Sequence, residues 1–310
     1  MSTIGVSRYD LKLADGTHWS ISAGDRLAAS VVSQFGEAMQ LSLLEYLPPL
    51  VSADFKTEEP LPAQCSDGSL WHRLLVLFDG ERSRTFLPRL YPLKSSEDHG
   101  LVVCPLPHWD AETERFFHLV QLSLILARQA QNYGGILLHG ALAEWNGLGV
   151  VLAAPGGTGK TTASNRLPAP WRSLSDDFTL IVRDSQKNYW AHPWPTWSLF
   201  LWGGSGGEWN VAKAVPLREI FFLTQADEDQ VTPLGNGQGV SLLLSSTQQS
   251  SNLMARGLSP EETRALHLEW FNNLCSLSLS VPPHLLHLSL TGPFWKEIER
   301  VLEKNRREGY

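Results

Sequence analysis

Hydrophobic and polar positions follow different patterns in the two parts of this 310-residue chain. In the first part, Tyr9–Leu13 alternates between apolar and polar residues before the turn pair Asp15-Gly16. Further on, Leu70–Phe78 is apolar and is followed by Asp79-Gly80. Alternation and short apolar segments bounded by turn residues are typical of strands. We therefore predict a small N-terminal α/β region over residues 1–109, with a turn at each of the two dipeptides.

A long apolar segment marks the start of the second part. Residues 110–114 form an acidic helix start, and the residues that follow are apolar on nearly every side of a helix up to Gly134-Gly135. Acidic residues favour the first turn of a helix, and glycine commonly follows the last turn. The pattern predicts a buried helix that opens a second domain over residues 110–310.

Two apolar strands joined by a tight turn come next. Ile136–Ala143 and Gly149–Ala153 are apolar, and the Asn146-Gly147 dipeptide between them is preferred in two-residue hairpin loops. We expect these two strands to pair antiparallel. Further strands are predicted at Phe178–Val182, Val215–Leu223 and Leu285–Leu290, and further helices at Thr161–Leu167, Ser259–Cys275 and Pro293–Glu303.

Composition narrows the class of protein. A formal net charge of -7 and a pI near 5.8 disfavour nucleic acid as the main partner, because such a surface repels phosphate backbones. The cysteines Cys65, Cys104 and Cys275 are far apart and follow no disulfide or metal-ligand spacing. No signal-peptide pattern is present, and the most apolar helical stretch, residues 116–130, is too short to cross a bilayer. We expect a soluble cytoplasmic protein without a membrane partner.

A phosphate-binding loop is predicted after the second hairpin strand. The stretch Ala154–Thr161 fits the Walker A pattern, in which a small residue and four variable residues precede Gly-Lys-Ser/Thr. Glycines let consecutive backbone N–H groups point at phosphate oxygens, Lys160 would bind the β- and γ-phosphates, and Thr161 would bind magnesium. The alternative is a glycine-rich turn that ends in an exposed lysine. The residues predicted to contact the nucleotide are Pro155, Gly156, Gly157, Thr158, Gly159, Lys160, Thr161 and Thr162.

The acidic pair Asp176-Asp177 has an unusual position relative to its strand. In ordinary P-loop ATPases the magnesium-binding aspartate follows an apolar strand, whereas this pair precedes Phe178–Val182. Adjacent side chains on a strand point to opposite faces, so one carboxylate can contact a metal ion and the other an acceptor hydroxyl. The alternative is a solvated turn before a strand.

The order of these motifs resembles the HPr kinase/phosphorylase superfamily, in which a histidine-bearing strand, a hairpin, a phosphate loop and paired aspartates follow one another. The matching stretches are Leu137–Ala141, Ala154–Thr162 and Ser175–Asp177. Within that superfamily, Trp190–Ser198 is similar to the ScmC family of the SynChlorMet cassettes, which sit beside radical-SAM peptide-modification genes. The N-terminal region and the glycine-rich residues 202–208 depart from true HPr kinases, so the resemblance does not imply HPr as the substrate.

The resemblance implies an α/β fold with an HPr-kinase-like P-loop core, whose mixed, partly antiparallel sheet is flanked by helices. It implies Asp176 as the general base and Asp177 as the metal-linked residue, with the exchanged assignment left open. From its sequence position alone, His139 is a lone histidine in an apolar strand and therefore also a candidate core residue. The resemblance instead implies that His139 orients or charges the aspartate pair and the phosphate. ATP and Mg²⁺ are the implied cofactors.

Six tryptophans are clustered between Trp171 and Trp209. Because Pro193 and Pro195 disfavour an interior strand, we hypothesise that some of these side chains lie beside the site and contact the acceptor or the adenine. The alternative is a local aromatic core. The candidate substrate residues are His192, Trp194, Trp197, Gly204 and Glu208.

Two classes of function fit these features. The first is a kinase that transfers the γ-phosphate of ATP to a serine or threonine hydroxyl of a ribosomally made peptide or of a small acceptor. The second is a catalytically inactive ATP-binding regulator or scaffold of the peptide-modification cassette. A pure binding module does not need two carboxylates and a histidine beside the phosphate loop, which favours the kinase.

The same site could in principle catalyse the reverse phosphorolysis of a phosphoserine. Radical-SAM proteins of the cassette and a second copy of the chain are further candidate partners.

Overall fold

The fold is known from a computed structural model, which describes residues 6–47, 70–82, 101–108, 114–154, 159–198 and 209–307. The chain divides into two compact units. The first is drawn from residues 1–129, 195–212 and 256–258, and the second from residues 130–194, 213–255 and 259–310. The predicted domain boundary between residues 109 and 110 lies outside the described residues and stays a prediction.

The first unit is built on a five-stranded mixed sheet with the strand order β3-β1-β2-β4-β5. β1 pairs antiparallel with β2 and β3, whereas β4 pairs parallel with both β2 and β5. The elements are β1 (Val6–Lys12), β2 (Thr17–Ala23), α1 (Arg26–Ala38), β3 (Ser42–Leu47), β4 (Leu70–Arg82), β5 (Leu101–His108) and α2 (Glu114–Asn132), whose last residues enter the second unit.

The two predicted turns in this unit have different outcomes. The turn at Asp15-Gly16 is confirmed, because Gly16 has a φ of 88° and its N–H donates to the carbonyl of Leu13. The turn at Asp79-Gly80 is wrong, because β4 continues through it to Arg82. β4 and β5 resume their pairing after a register shift between Phe78 and Arg82, so sheet pairing overrides the local turn preference.

The second unit is built on an eight-stranded mixed sheet with the order β10-β9-β6-β7-β11-β13-β12, in which β8 also pairs with β6. β7, β11 and β13 are parallel, and the β6–β7 hairpin is antiparallel as predicted. Its elements are β6 (Ile136–Trp145), β7 (Leu148–Ala153), α3 (Lys160–Arg166), β8 (Arg172–Ser175), β9 (Phe178–Arg183), β10 (Tyr189–Trp194), β11 (Val215–Gln225), β12 (Gln230–Pro233), α4 (Asn236–Ser251), a 3-10 helix (Asn252–Ala255), α5 (Pro260–Ser280), β13 (His284–Leu288) and α6 (Trp295–Arg307).

Helices cover both faces of the larger sheet. On one face, Leu243 of α4 and Leu274 of α5 pack against sheet residues such as Leu138. On the other face, Ala163 of α3 and Ile298 of α6 belong to a second buried cluster. The described residues therefore form a mixed α/β protein with two mixed sheets and six α-helices, which confirms the fold class at this level. None of the described helices has the length and apolar character that crossing a membrane requires.

The hairpin turn and the end of α2 follow their local sequence signals. Asn146 and Gly147 have φ angles of 50° and 83°, which is the left-handed geometry of a two-residue hairpin loop. α2 ends at Asn132, and Gly134 has a φ of 90°. The N–H of Gly135 then donates to the carbonyl of Ala130 at 2.9 Å. Both features confirm predictions made from glycine-containing dipeptides.

An ion-pair network around the buried carboxylate of Glu144, at the end of β6, makes stability depend on pH. Glu144 accepts hydrogen bonds from Arg172 at 2.6 Å and from Lys213 at 3.0 Å. Burial by itself raises the pKa of Glu144, but Lys213 and Arg172 outweigh it and hold this pKa below its ordinary value of 4.5. The ionised carboxylate therefore stabilises the fold above that value, and the stabilisation is lost as the pH falls through the lowered pKa.

Glu144→Gln is accordingly expected to lower the free energy of unfolding at pH 7, with a difference from wild type that shrinks below about pH 4.5. Urea denaturation from pH 3 to pH 8 measures the difference. Glu228→Gln, which changes an exposed glutamate of the same unit, is the control with the same change in charge. A wild-type advantage that stays constant down to pH 3 would contradict the assigned ion pairs.

Candidate functional site

The acidic pair lies at a bend between two strands that share one partner. β8 pairs with β6 at residues 142–144, and β9 pairs with β6 at residues 136–139. Asp176 and Asp177 are the two residues between β8 and β9. They are therefore placed beside the middle of β6, which carries His139 directly opposite Phe178.

Two buried hydroxyl groups hold this bend against β6. Ser175 Oγ accepts a hydrogen bond from the backbone N–H of Leu142 at 3.3 Å and donates to the carbonyl of Phe178 at 2.8 Å. Thr179 Oγ1 donates to the carbonyl of Gly140 at 2.8 Å. Because these bonds lie on both sides of the acidic pair, the backbone at Asp176-Asp177 is fixed relative to His139.

His139 and Asp177 form the central contact of the site. The His139 Nε2 atom lies 2.7 Å from Asp177 Oδ1, and the side chains are 15% and 40% exposed, respectively. The His139 ring also meets the Phe178 ring edge-on at 5.8 Å between centroids. The site therefore lies at the surface of the second unit, with the histidine mostly covered and the carboxylate open to solvent.

Lys160 reaches the same carboxylate oxygen from the end of the predicted phosphate loop. It is the first residue of α3, after Gly159 with a φ of 102° that favours glycine. Its Nζ donates to the carbonyl of Ala154 at 2.9 Å and lies 3.7 Å from Asp177 Oδ1. The lysine side chain is only 7% exposed. A buried ammonium group, an imidazole and a carboxylate thus meet at one point.

The electrostatics of this group favour an ionised Asp177. Burial by itself raises the pKa of Asp177, but the hydrogen bond and charge of His139, followed by those of Lys160, bring it below its ordinary value. Burial lowers the pKa of Lys160, and the charge of Asp177 only partly opposes that effect. A carboxylate that is ionised at neutral pH beside a desolvated ammonium group suits the binding of charged ligands.

The structure describes only some of the other predicted nucleotide and catalytic residues. Asp176 is exposed, and Thr161 and Thr162 are exposed on the first turn of α3. The predicted nucleotide residues Pro155, Gly156, Gly157 and Thr158, and the predicted substrate residues Gly204 and Glu208, lie outside the described residues.

The other three candidate substrate residues are buried. His192 and Trp194 lie on β10, where both side chains are at most 1% exposed. Pro193 is part of this strand, and its register partner on β9 is Thr179. Trp197 belongs to the first unit, where its indole N–H donates to Ser123 at 3.0 Å and its exposure is 1%. Burial of all three favours the aromatic-core alternative over direct contact with an acceptor.

Sequence reasoning missed α4 and its contact with the site. Gln249 Oε1 lies 2.6 Å from His139 Nδ1, on the side of the ring opposite Asp177. The sequence offers only a weak signal for this helix, because the residues that recur at helical spacing along the segment are mostly small and not apolar. The buried positions of α4 are Gly239, Leu243, Ser246, Thr247, Ser250 and Ser251.

The chain matches a known protein family. The family model described as SynChlorMet cassette protein ScmC matches residues 102–303 of the chain. The match includes β6, the predicted phosphate loop, the acidic pair and α4. No curated protein matches the chain.

Proposed function

Since the chain belongs to the ScmC family of SynChlorMet cassette proteins, we propose that it is an ATP-dependent kinase with an HPr-kinase-like P-loop site. The proposed acceptor is a serine or threonine hydroxyl in the ribosomally made peptide of the cassette. The observation that carries the proposal is the meeting of Lys160, Asp177 and His139 at the end of a Walker A sequence. Phosphate transfer needs positive charge for the phosphates and carboxylates for the cation and the acceptor proton.

The nucleotide would bind at the end of β7. In Walker A loops the lysine binds the β- and γ-phosphates and the backbone N–H groups surround the phosphate oxygens. Lys160 Nζ is held 2.9 Å from the carbonyl of Ala154, so the ammonium group already faces the end of β7 where the predicted loop begins. Its burial increases the strength with which it attracts a phosphate.

The oxygen groups at the site suit Mg²⁺. No three His, Cys, Asp or Glu side chains among the described residues form a cluster able to hold a metal ion. Mg²⁺ is commonly bound by only one or two carboxylates, with phosphate oxygens and water completing its shell. Within the described part of the chain, both polar contacts of the Asp177 side chain use Oδ1, which leaves Oδ2 for a cation. Asp177 and the Thr161 hydroxyl would hold the ion, which would neutralise phosphate charge.

Asp176 is the residue best placed to act on the acceptor. Its side chain is exposed beside Asp177, whose carboxylate is engaged by His139 and Lys160. In the proposed reaction Asp176 accepts the proton of the acceptor hydroxyl. The hydroxyl oxygen bonds to the γ-phosphorus, and the bond between that phosphorus and the departing ADP breaks. His139 keeps Asp177 in place for the cation.

The test is transfer of a labelled phosphate. The full chain is incubated with γ-labelled ATP, Mg²⁺ and the precursor peptide of the cassette, and peptide phosphorylation is measured by mass spectrometry and by radiolabel. We expect transfer to the peptide and loss of transfer when EDTA removes Mg²⁺. The control is the same peptide with its serine and threonine residues replaced by alanine.

ATP binding without transfer to any hydroxyl would instead support an inactive regulator or scaffold. Release of phosphate from a phosphopeptide would reveal the reverse reaction.

A further inference from the structure

α4 is bonded directly to the strand that carries His139. Ser246 Oγ accepts a hydrogen bond from the backbone N–H of His139 at 3.1 Å and donates to the carbonyl of the same residue at 3.2 Å. One turn later, Ser250 Oγ donates to the carbonyl of Leu137 at 2.6 Å. Both serines are buried, so one turn of α4 is fixed along two alternate residues of β6.

This anchoring brings Gln249 to the imidazole ring. Gln249 Oε1 lies 2.6 Å from His139 Nδ1, while His139 Nε2 lies 2.7 Å from Asp177 Oδ1. The ring is therefore held through both of its nitrogens, by one group from α4 and one from the β8–β9 bend. The partner of one imidazole nitrogen determines which way the other nitrogen faces and whether it can donate.

The Gln249 side chain is not fixed by core packing. It is exposed and forms part of the wall of a cavity of about 370 Å³. A side chain at such a position keeps one orientation only when a polar contact holds it. The residues around the cavity are Ser245, Gln248, Gln249, Asn252, His267 and Trp270.

We infer that Gln249 is a positioning residue, which holds the His139 ring so that Nε2 faces Asp177. The inference rests on the proposed function, because the oriented ring matters only if Asp177 takes part in phosphate transfer. Without Gln249, the ring can rotate about its χ2 bond and Nε2 moves away from the carboxylate. Asp177 then loses one of the two partners that define its orientation.

The experiment compares two variants of Gln249 with a neighbouring control. Gln249→Met has similar length but no group that hydrogen-bonds the ring, whereas Gln249→Glu keeps an oxygen at the same reach. Gln248→Met changes the adjacent exposed residue, which borders the same cavity. The ¹⁵N chemical shifts of the His139 ring are measured in each protein, with His139→Gln used to assign them among the ten histidines. Phosphate transfer is measured in parallel.

Gln249→Met is expected to change the ¹⁵N shifts of His139 and to lower kcat by about tenfold, with the KM for ATP within about twofold of wild type. Gln249→Glu should restore most of the rate, and Gln248→Met should change neither quantity. Unchanged ring shifts in Gln249→Met, or changed shifts with an unchanged kcat, would overturn the inference. If wild type transfers no phosphate, the proposed function fails by itself. The ring shifts then still decide whether Gln249 orients His139.

Discussion

Asp176→Asn is expected to lower the rate constant of phosphate transfer by about 10²–10⁴-fold, the contribution typical of a general base. Asparagine has nearly the same shape but does not accept the proton of the acceptor hydroxyl. ATP affinity should stay within about twofold of wild type, because Asp176 is exposed and the lysine of the predicted loop contacts Asp177 instead. Single-turnover kinetics together with calorimetric titration of ATP measure both quantities.

Asp177→Asn is the matched comparison for this prediction. It removes the charge that His139 and Lys160 contact and the oxygen assigned to the cation. We expect Asp177→Asn to transfer phosphate more slowly and to need a higher concentration of Mg²⁺ to reach half of its maximal rate. Asp176→Asn should leave the Mg²⁺ requirement unchanged. If the two variants show the opposite behaviour, the roles of the two aspartates are exchanged, and full activity of Asp176→Asn would exclude it as the base.

Lys160→Met is expected to weaken ATP binding by roughly tenfold to a hundredfold. A hydrogen bond to a charged group contributes about 1.5–3 kcal/mol, and each 1.4 kcal/mol corresponds to a factor of about ten in affinity. The lysine side chain is 7% exposed, and its ammonium group contacts the carbonyl of Ala154 at the start of the predicted loop. In the variant, water therefore does not easily take the place of the missing ammonium group. Isothermal titration calorimetry with Mg-ATP measures the loss.

Lys296→Met provides the control for the change in net charge, because Lys296 is exposed on α6 in the same unit. This variant should bind ATP as wild type does. Thermal unfolding of each variant shows whether the fold is retained. A folded Lys160→Met protein with wild-type affinity for ATP would mean that the Walker A sequence is not a nucleotide site in this protein.

Elements with strong local signals were predicted correctly. β6 and β7 are apolar and meet at an Asn-Gly turn, and the structure has this hairpin at residues 136–153. α5 follows a capping box in which Ser259 and Glu262 each bond the backbone of the other residue. The helix continues five residues past the predicted end at Cys275, because no proline or glycine stops it before Ser280.

Elements that are held in place by contacts with residues far away in the sequence were not predicted. α4 was missed because its buried side is made largely of serine, threonine and glycine, so it lacks the apolar period that identifies a helix. Those hydroxyl groups bond the backbone of β6, which only the folded chain brings within reach. Gln249 was missed with the helix that carries it.

Burial favours the aromatic-core alternative for Trp194 and Trp197 in the tryptophan-rich stretch. Pro193 and Pro195 suggested an exposed segment, yet Tyr189–Trp194 is a strand. Proline has no backbone N–H to donate to a neighbouring strand. It is tolerated at position 193 because β10 pairs with β11 at Trp190 and Ala191, and this pairing stops short of Pro193. Trp194 is consequently in the core of the second unit.

The sequence by itself determined the local chemistry of this protein. It showed a stretch that fits the Walker A pattern, an acidic pair ahead of a strand and a histidine in an apolar segment, because each depends on residue types at short spacing. The tertiary structure alone decided that Asp177 is the carboxylate that meets His139 and Lys160, and that Gln249 holds the other side of the ring. These contacts join residues 17 to 110 positions apart, and they depend on the register of β9 on β6 and on the anchoring of α4. Strand register and helix docking come from the packing of the whole unit, which no local pattern contains.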